Sequence, residues 1–225
     1  MRLTLGGPCG LLEAELWLPL RDGQEDPAPR MACAFCHPHP RLGGTMKNTV
    51  VFRAGRGLQA AGLAVLRFNF RGVGRSAAAP LMAAGVAKAA AGATDERADL
   101  AAALDFLSER FPGAELWAGG FSFGARIAAR LALHDARIRR LVLVALPVRI
   151  FDPADLADLT TRGLILMAGE DEFGTLSDLR ERLPGFERQF ELDSIAGADH
   201  FFHDRTREVE ARVRAFAERE SRIPR

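Results

Sequence analysis

Short apolar segments recur along the chain, and amphipathic segments separate most of them. Apolar residues at helical spacing form three stripes, namely Leu100, Leu104, Leu107 and Phe111; Ile127 and Leu131; and Val209, Val213 and Phe216. The apolar segments with the length and residue types of buried strands are residues 12–19, 31–36, 63–70, 115–119, 141–146, 163–169 and 190–197. Strands that alternate with amphipathic helices predict a mostly parallel sheet of about seven strands, covered by helices on both faces.

Two parts of this pattern leave alternatives open. The first two predicted strands, residues 12–19 and 31–36, are joined by a short polar link and could instead pair with each other as an antiparallel edge hairpin. Residues 77–93 are nearly all small and show no helical stripe, so they are either a mobile loop over a site or an ordinary surface connection. The sequence shows no linker or internal repeat, and we therefore expect residues 1–225 to form a single domain.

The bulk composition is that of an ordinary globular protein. Of the 225 residues, 48% are hydrophobic and 26% are charged, and the net charge is only +1. Because basic and acidic residues are interspersed, we do not expect nucleic acid as a partner. The amino-terminal sequence lacks a basic start followed by an apolar region, and no apolar run approaches the roughly 18 residues of a membrane-spanning helix. We therefore expect a cytoplasmic protein that does not bind membranes.

The segment CAFCHPHP, residues 33–40, matches two kinds of metal site. Cys33, Cys36 and His37 give the C-x-x-C-H pattern of haem attachment, and His39 would complete a set of four zinc ligands. Covalent haem attachment is typical of exported chains, and the sequence shows no export signal. On an extended strand Cys33 and Cys36 point to opposite faces, which is unsuitable for one tetrahedral ion. We therefore expect neither a metal nor a cofactor, and we interpret both cysteines as small core residues.

The segment GGFSFG, residues 119–124, has the pattern of a nucleophile elbow. It follows a predicted strand and opens a predicted helix, which is the context that G-x-S-x-G requires. Gly120 and Gly124 allow a sharp turn, which lifts the Ser122 hydroxyl to the carboxyl end of the sheet. A serine needs a general base within hydrogen-bond reach and a carboxylate that orients the base.

Two later segments supply both groups just beyond predicted strands. The acidic run EDE, residues 170–172, follows the sixth strand, and His200 follows the seventh. Because the carboxyl ends of parallel strands meet at one edge of a sheet, we predict that His200 is the base of Ser122. The other histidines outside the HPHP segment, His134 and His203, are expected to be surface residues or members of local networks.

The HPHP segment provides a candidate oxyanion hole. It follows an early strand, where this type of site takes its second backbone donor. Pro38 and Pro40 have no N–H, so His39 is able to donate between them, and Phe123 follows the nucleophile. We predict that the amides of His39 and Phe123 stabilise the oxyanion, and that the two prolines stiffen the loop.

Five sequence blocks together resemble a known family. They are HPHP-x-x-GGTM (37–46), FNFRGVGRS (68–76), GGFSFG (119–124), DEFG (171–174) and GADHFF (197–202). In this order they are similar to the small, lid-less α/β-hydrolases of the dienelactone-hydrolase-like and prolyl-oligopeptidase-like group. The resemblance spans nearly the whole chain and implies an α/β-hydrolase fold without a cap domain, with the residue order serine, acid, histidine. It says nothing about the substrate.

The chain departs from that family at two places. The segment after FNFRGVGRS is usually rich in Gly, Phe and Asp, whereas here it is the alanine-rich segment 77–93. The acid of related hydrolases usually stands three residues after the glycine that ends its strand, which would be Glu172, whereas the DEFG match places it at Asp171. We favour Asp171.

Two arginines in FNFRGVGRS have alternative roles. Arg71 and Arg75 could clamp a substrate carboxylate, but arginines in a turn after a strand more often tie loops to carbonyls and acids. The acids in reach along the sequence are Asp95, Glu96 and Asp99. We favour the structural role.

These residues predict a carboxylesterase-like serine hydrolase that acts on a small ester or thioester. Ser122 would attack the carbonyl, His200 would transfer the proton, and Asp171 would hold the tautomer of His200. The alternatives are a peptidase or amidase of the same fold and a catalytically silent binding module. The sequence does not indicate the acyl group, the leaving group or the oligomeric state.

Overall fold

The computed structural model describes residues 1–77 and 96–222. In chain order, the strands are β1 (Arg2–Gly7), β2 (Gly10–Trp17), β3 (Leu20–Arg21), β4 (Gln24–Glu25), β5 (Met31–Cys36), β6 (Ala64–Phe68), β7 (Glu115–Phe121), β8 (Ile138–Val144), β9 (Arg162–Ala168) and β10 (Phe190–Ile195). The α-helices are α1 (Thr49–Ala60), α2 (Glu96–Arg110), α3 (Phe123–Ala132), α4 (Leu176–Arg182) and α5 (Thr206–Ser221). Short 3₁₀ helices cover Pro40–Leu42, Pro153–Leu156 and Phe186–Arg188.

Within those residues, eight strands form one sheet in the order β1-β2-β6-β5-β7-β8-β9-β10. The six strands from β6 to β10 in this order are parallel to one another, and β1 and β2 are antiparallel to their neighbours. The predicted mostly parallel sheet is confirmed, with one strand more than expected. The added strand is β1, which lies at the edge of the sheet. Exposed residues alternate along it with three residues that are buried or partly buried.

The alternative edge hairpin between the first two predicted strands is wrong. β2 pairs with β1 and β6, whereas β5 lies between β6 and β7. The burial of each strand gives the reason. All six residues of β5 are buried, as in a central parallel strand, whereas buried and partly exposed residues alternate along most of β2.

Helices pack on both faces of the sheet, as predicted. On one face, α2 and α3 cover the sheet with buried residues that include Leu100, Leu104 and Ile127. On the other face, α1 packs against α5, and both contribute to a second apolar cluster that includes Val209 and Val213. The predicted helical stripes therefore mark the sides of the helices that face the sheet.

The described part of the chain holds no helix that is both long and apolar enough to cross a bilayer. The alanine-rich segment 77–93 lies outside the described residues from residue 78 onward, and so does Asp95. Neither interpretation of that segment is tested.

Candidate active site

Three of the predicted site residues lie at one edge of the sheet. Ser122 follows β7, Asp171 lies three residues beyond β9, and His200 lies five residues beyond β10. Because these strands are parallel, their carboxyl ends lie on the same side of the molecule. The fold therefore brings together side chains that are far apart in the sequence.

Ser122 occupies a strained turn between β7 and α3. Its backbone has φ 55° and ψ −117°, a conformation that residues with a side chain rarely adopt. Glycine is required at both Gly120 and Gly124, because backbone atoms of neighbouring residues lie too close for a side chain. A Cβ on Gly120 would overlap the Gly124 carbonyl, and a Cβ on Gly124 would lie 2.6 Å from the carbonyl oxygens of Cys36 and His37. The turn thus has the shape that the G-x-S-x-G pattern predicts.

Hydrogen bonds connect the three side chains in sequence. The Ser122 hydroxyl donates to His200 Nε2 at 2.9 Å, and His200 Nδ1 donates to Asp171 Oδ2 at 2.7 Å. The other Asp171 oxygen accepts from the Phe173 amide at 2.8 Å. Since both Asp171 oxygens have donors, the carboxylate is fixed in orientation and in turn fixes the imidazole ring.

Glu172 lies outside this chain of hydrogen bonds. Asp171 is 2% exposed, whereas the side chain of Glu172 faces solvent. The contact that the structure gives for Glu172 is made by its backbone carbonyl, which accepts from Arg149 at 3.4 Å. Of the two acids between which the sequence left a choice, Asp171 is the one within reach of His200.

Aromatic rings surround His200. The ring centroids of Phe121, Phe173 and Phe201 lie 5.2, 4.5 and 5.2 Å from that of His200. As a result, the imidazole is only 3% exposed although it lies at the edge of the sheet. Such packing limits rotation of the ring and excludes water from its hydrogen bonds.

The residues of the two predicted oxyanion donors, His39 and Phe123, lie on opposite sides of Ser122 in the sequence, and their side chains are in contact. The His39 and Phe123 rings contact each other with centroids 4.8 Å apart. His39 begins the 3₁₀ helix Pro40–Leu42, where its Nδ1 accepts the Arg41 amide at 3.1 Å. Among the described residues, neither the His39 amide nor the Phe123 amide donates to a protein acceptor. Both donors are therefore available to a bound group.

His37 is buried and holds the loop that carries His39. Its Nδ1 donates to the Pro38 carbonyl at 2.7 Å, and its Nε2 accepts the Phe70 amide at 3.1 Å. Burial lowers the pKa of His37 from 6.5 to about 4, because a charged imidazole loses its hydration there. His37 is thus a neutral structural residue, a role that the haem and zinc patterns did not suggest.

The depressed pKa of His37 predicts a stability change in acid. The unfolded chain binds a proton near pH 6.5 and the folded chain only near pH 4, so stability falls as the pH drops through this interval. We expect a loss of about 3 kcal/mol from this residue between pH 7 and pH 4. Urea unfolding of the wild type and of His37→Gln at both pH values measures the loss as the difference between the two.

Equal pH dependence in the two proteins would contradict this expectation. Titration of the His37 ring by proton NMR is a second measurement that does not depend on the stability of the variant. A ring that takes up its proton above pH 6 would show that burial does not control its pKa.

Arg67 of β6 and Asn69 just after it bind the backbone of Met46, in the loop that follows His39. Arg67 Nη1 donates to the Met46 carbonyl at 2.7 Å, and Asn69 Oδ1 accepts from the Met46 amide at 2.8 Å. The Arg67 guanidinium also pairs with Glu15 and lies 3.7 Å from the Trp17 ring centroid. This network was not predicted from the sequence. The signal that could have indicated it is an arginine within an apolar strand, because a buried charge needs a partner.

Arg71 has the structural role that the sequence favoured. Its guanidinium binds Asp99 with a shortest contact of 2.7 Å, and its amide donates to the same carboxylate at 2.9 Å. Asp99 is fully buried. Arg75 is exposed, and its amide donates to Glu13 at 3.0 Å. The FNFRGVGRS turn is therefore tied to α2 and β2.

The cysteines of CAFCH lie on opposite faces of the sheet. Cys33 belongs to the apolar cluster under α1 and α5, and Cys36 to the cluster under α2 and α3. Burial raises the pKa of both thiols well above the usual range. In the described ranges, no three His, Cys, Asp or Glu residues are arranged to hold a metal ion.

His134 and His203 are both exposed. Asp199 accepts from His203 Nδ1 at 2.5 Å, which raises the pKa of His203, and the pair connects one turn of the loop after β10. Neither residue lines the cavity beside Ser122. This agrees with the surface or local roles expected for them.

A cavity of about 240 Å³ opens beside Ser122 and His200. Most of its wall is apolar and comes from loops at the carboxyl edge, including Leu42, Ile150 and Phe173. The sequence reasoning did not identify these residues. The sequence feature that could have identified them is the presence of apolar side chains in loops just beyond strands that end at the site, as in PVRIF after β8.

Comparison with known proteins identifies a family and relatives that cover most of the chain. A family model described as the alpha/beta hydrolase fold matches residues 42–197. An uncharacterized protein of Rickettsia prowazekii is 35% identical over 181 residues, which are 76% of this chain and 72% of that protein. The chain is also similar to solved structures, including the following two.

The first structure is a serine hydrolase without a lid from Xanthomonas campestris, with a TM-score of 0.83 and 28% identity over 100% of this chain and 96% of that chain. The second is an alpha-beta serine hydrolase homologue from Coxiella burnetii, with a TM-score of 0.79 and 32% identity over 96% of each chain.

Proposed function

The chain belongs to the alpha/beta hydrolase fold family, and from this premise we propose that it is a serine hydrolase that cleaves a small carboxylic ester or thioester. The observation that carries the proposal is the chain of hydrogen bonds from Ser122 through His200 to Asp171. A relative of known structure described as a serine hydrolase without a lid supports it.

Acylation begins at the Ser122 hydroxyl. The oxygen attacks the substrate carbonyl carbon while His200 Nε2 takes the hydroxyl proton, so that nucleophile and base act in one step. The resulting imidazolium is stabilised by Asp171, which accepts the Nδ1 proton of the ring without taking it. The aromatic rings around His200 strengthen this interaction, because they keep water from the ion pair.

The negative charge develops on the carbonyl oxygen. We assign its stabilisation to the amides of His39 and Phe123, which have no acceptor among the described residues. The loop of His39 is held by the two hydrogen bonds of His37, so this donor is oriented before substrate binds. Preorganised donors of this kind require no reorganisation when the charge forms.

Collapse of the tetrahedral intermediate releases the alcohol or thiol. His200 returns its proton to the leaving group, and an ester links the acyl group to Ser122. Water then attacks this acyl-enzyme with His200 again as the base, which frees the carboxylic acid and restores the Ser122 hydroxyl. No cofactor is needed for either half-reaction.

We also propose that residues 1–225 form a single domain that works in the cytoplasm. The one eight-stranded sheet of the described residues supports the first point. The free thiols of Cys9, Cys33 and Cys36 are consistent with a reducing compartment. A small-molecule substrate is the partner that the proposal requires.

Covalent labelling tests the proposed function directly. A fluorophosphonate probe reacts with a serine that an adjacent base activates, so we expect folded protein to be labelled stoichiometrically at Ser122 and not at other serines. Mass spectrometry of peptides locates the label. Heat-unfolded protein is the control, and the absence of labelling in the folded protein would favour a silent binding module.

A further inference from the structure

The cavity beside Ser122 contains no charged side chain of the described residues. Among the residues that line it, the polar side chains are those of His39, Asn48, Ser122 and His200. A carboxylate or ammonium placed there would lose hydration without gaining an ion pair from these residues. The wall therefore suits an uncharged apolar group.

The rim of the same cavity is also apolar and faces solvent. Leu42, Ile150 and Phe201 are 84%, 55% and 46% exposed, and all three line the cavity. They come from three separate loops, after β5, β8 and β10. In the described ranges, only four other large apolar side chains are comparably exposed, and none of them lines this cavity. Three of the seven exposed large apolar side chains of the described residues therefore share one rim beside Ser122.

The cavity is too small to enclose a large substrate. Its volume of about 240 Å³ is below the roughly 300–1,000 Å³ of pockets that enclose drug-sized ligands. A longer group bound there would have to continue over the rim. An exposed apolar patch continuous with a reactive serine is most simply covered by the substrate itself.

Resting on the proposed function, we propose that the substrate carries an uncharged apolar acyl chain that fills the cavity and extends over Leu42, Ile150 and Phe201. The acyl group stays at Ser122 through both half-reactions, whereas the leaving group departs after the first. Contacts with the acyl chain therefore lower the barrier of both steps, whereas contacts with the leaving group act only on acylation.

A chain-length series measures this specificity. We compare kcat/KM for p-nitrophenyl acetate, butanoate, hexanoate and octanoate below their aggregation concentrations. A fully buried methylene gives about fourfold, and partial burial at the rim gives less, so we expect a rise of at least about tenfold from butanoate to octanoate. The p-nitrophenyl monoester of hexanedioic acid has the hexanoate chain with a terminal carboxylate, which stays closer to the cavity, and we expect it to be at least about tenfold poorer than the hexanoate.

Rim variants with a matched control test the residues themselves. We expect Leu42→Ser combined with Ile150→Ser to lower the octanoate-to-acetate ratio of kcat/KM at least about tenfold. Leu20→Ser makes the same change at a leucine that is 67% exposed on the short β3–β4 hairpin, outside the cavity, and should leave the ratio unchanged.

Binding to an inactive variant separates this inference from the proposed function. In Ser122→Ala, calorimetric titration with the same esters gives Kd without turnover. Tighter binding with chain length that the rim variants remove supports the inference even if the wild type hydrolyses none of the esters. Hydrolysis with no dependence on chain length would overturn it and leave the proposed function intact. Rim variants that alter only vesicle binding or self-association would also overturn it, since the patch would then serve a membrane or a second copy.

Discussion

Replacing Ser122 with alanine is expected to abolish hydrolysis of p-nitrophenyl acetate, with a loss in kcat of at least about 10⁴-fold. The substitution removes the attacking oxygen, and His200 alone cannot form the acyl-enzyme. Stability should change by less than about 0.5 kcal/mol, because the half-buried hydroxyl contributes little to the core. Alanine also keeps the Cβ of serine, so the unusual backbone conformation at φ 55° is strained to a similar degree in both proteins.

Initial rates at saturating ester and urea unfolding curves measure the two effects. Ser194→Ala is a suitable control, since Ser194 lies within β10 and outside the cavity. An active Ser122→Ala protein would remove this residue from the mechanism. A large drop in stability would instead mean that lost activity reflects unfolding.

Replacing Asp171 with asparagine is expected to lower kcat on the order of 10⁴-fold. An amide at this position can present its NH₂ group to His200, which favours the wrong tautomer of the ring and leaves the imidazolium without a counter-charge. The neighbouring substitution Glu172→Gln should cost less than about tenfold, because the Glu172 carboxylate is exposed and makes no hydrogen bond to another described residue.

The two variants form a matched pair, since each converts an acid to its amide at adjacent positions. Measuring kcat for both with one activated ester compares them directly. The reverse result, a severe loss in Glu172→Gln and a mild one in Asp171→Asn, would transfer the orienting role to Glu172.

The central strands could be predicted from the sequence because they are buried on both faces. Such strands are continuous apolar runs, and MACAFC at 31–36 was placed with its observed bounds. The strand at the edge of the sheet was harder to predict. RLTLGG at 2–7 has few apolar residues, since an edge strand needs to bury only one face, and it was missed as β1. Because β1 was not predicted, the segment of β5 was the nearest predicted strand with which β2 could form an antiparallel pair.

The site could be predicted as far as backbone pattern determines it. The elbow, the histidine after β10 and the acidic run after β9 each follow from a residue type at the end of a strand. The choice between Asp171 and Glu172 depends on the direction in which each side chain leaves the backbone, which the sequence does not contain. His37 was misleading for a related reason, because its burial and two local hydrogen bonds arise only in the folded chain.

The three proposed catalytic residues come from three different strand ends, and this has a consequence for how activity is acquired. Ser122 and His200 are 78 positions apart in the chain, and Asp171 and His200 are 29 apart. No local segment contains the whole set, so loop-closure entropy must be overcome before any of these contacts can form. A nascent or truncated chain that ends before β10 lacks the general base altogether. The proposed catalysis therefore requires β7, β9 and β10 to be in place together, and we expect partly folded chains to lack hydrolytic activity.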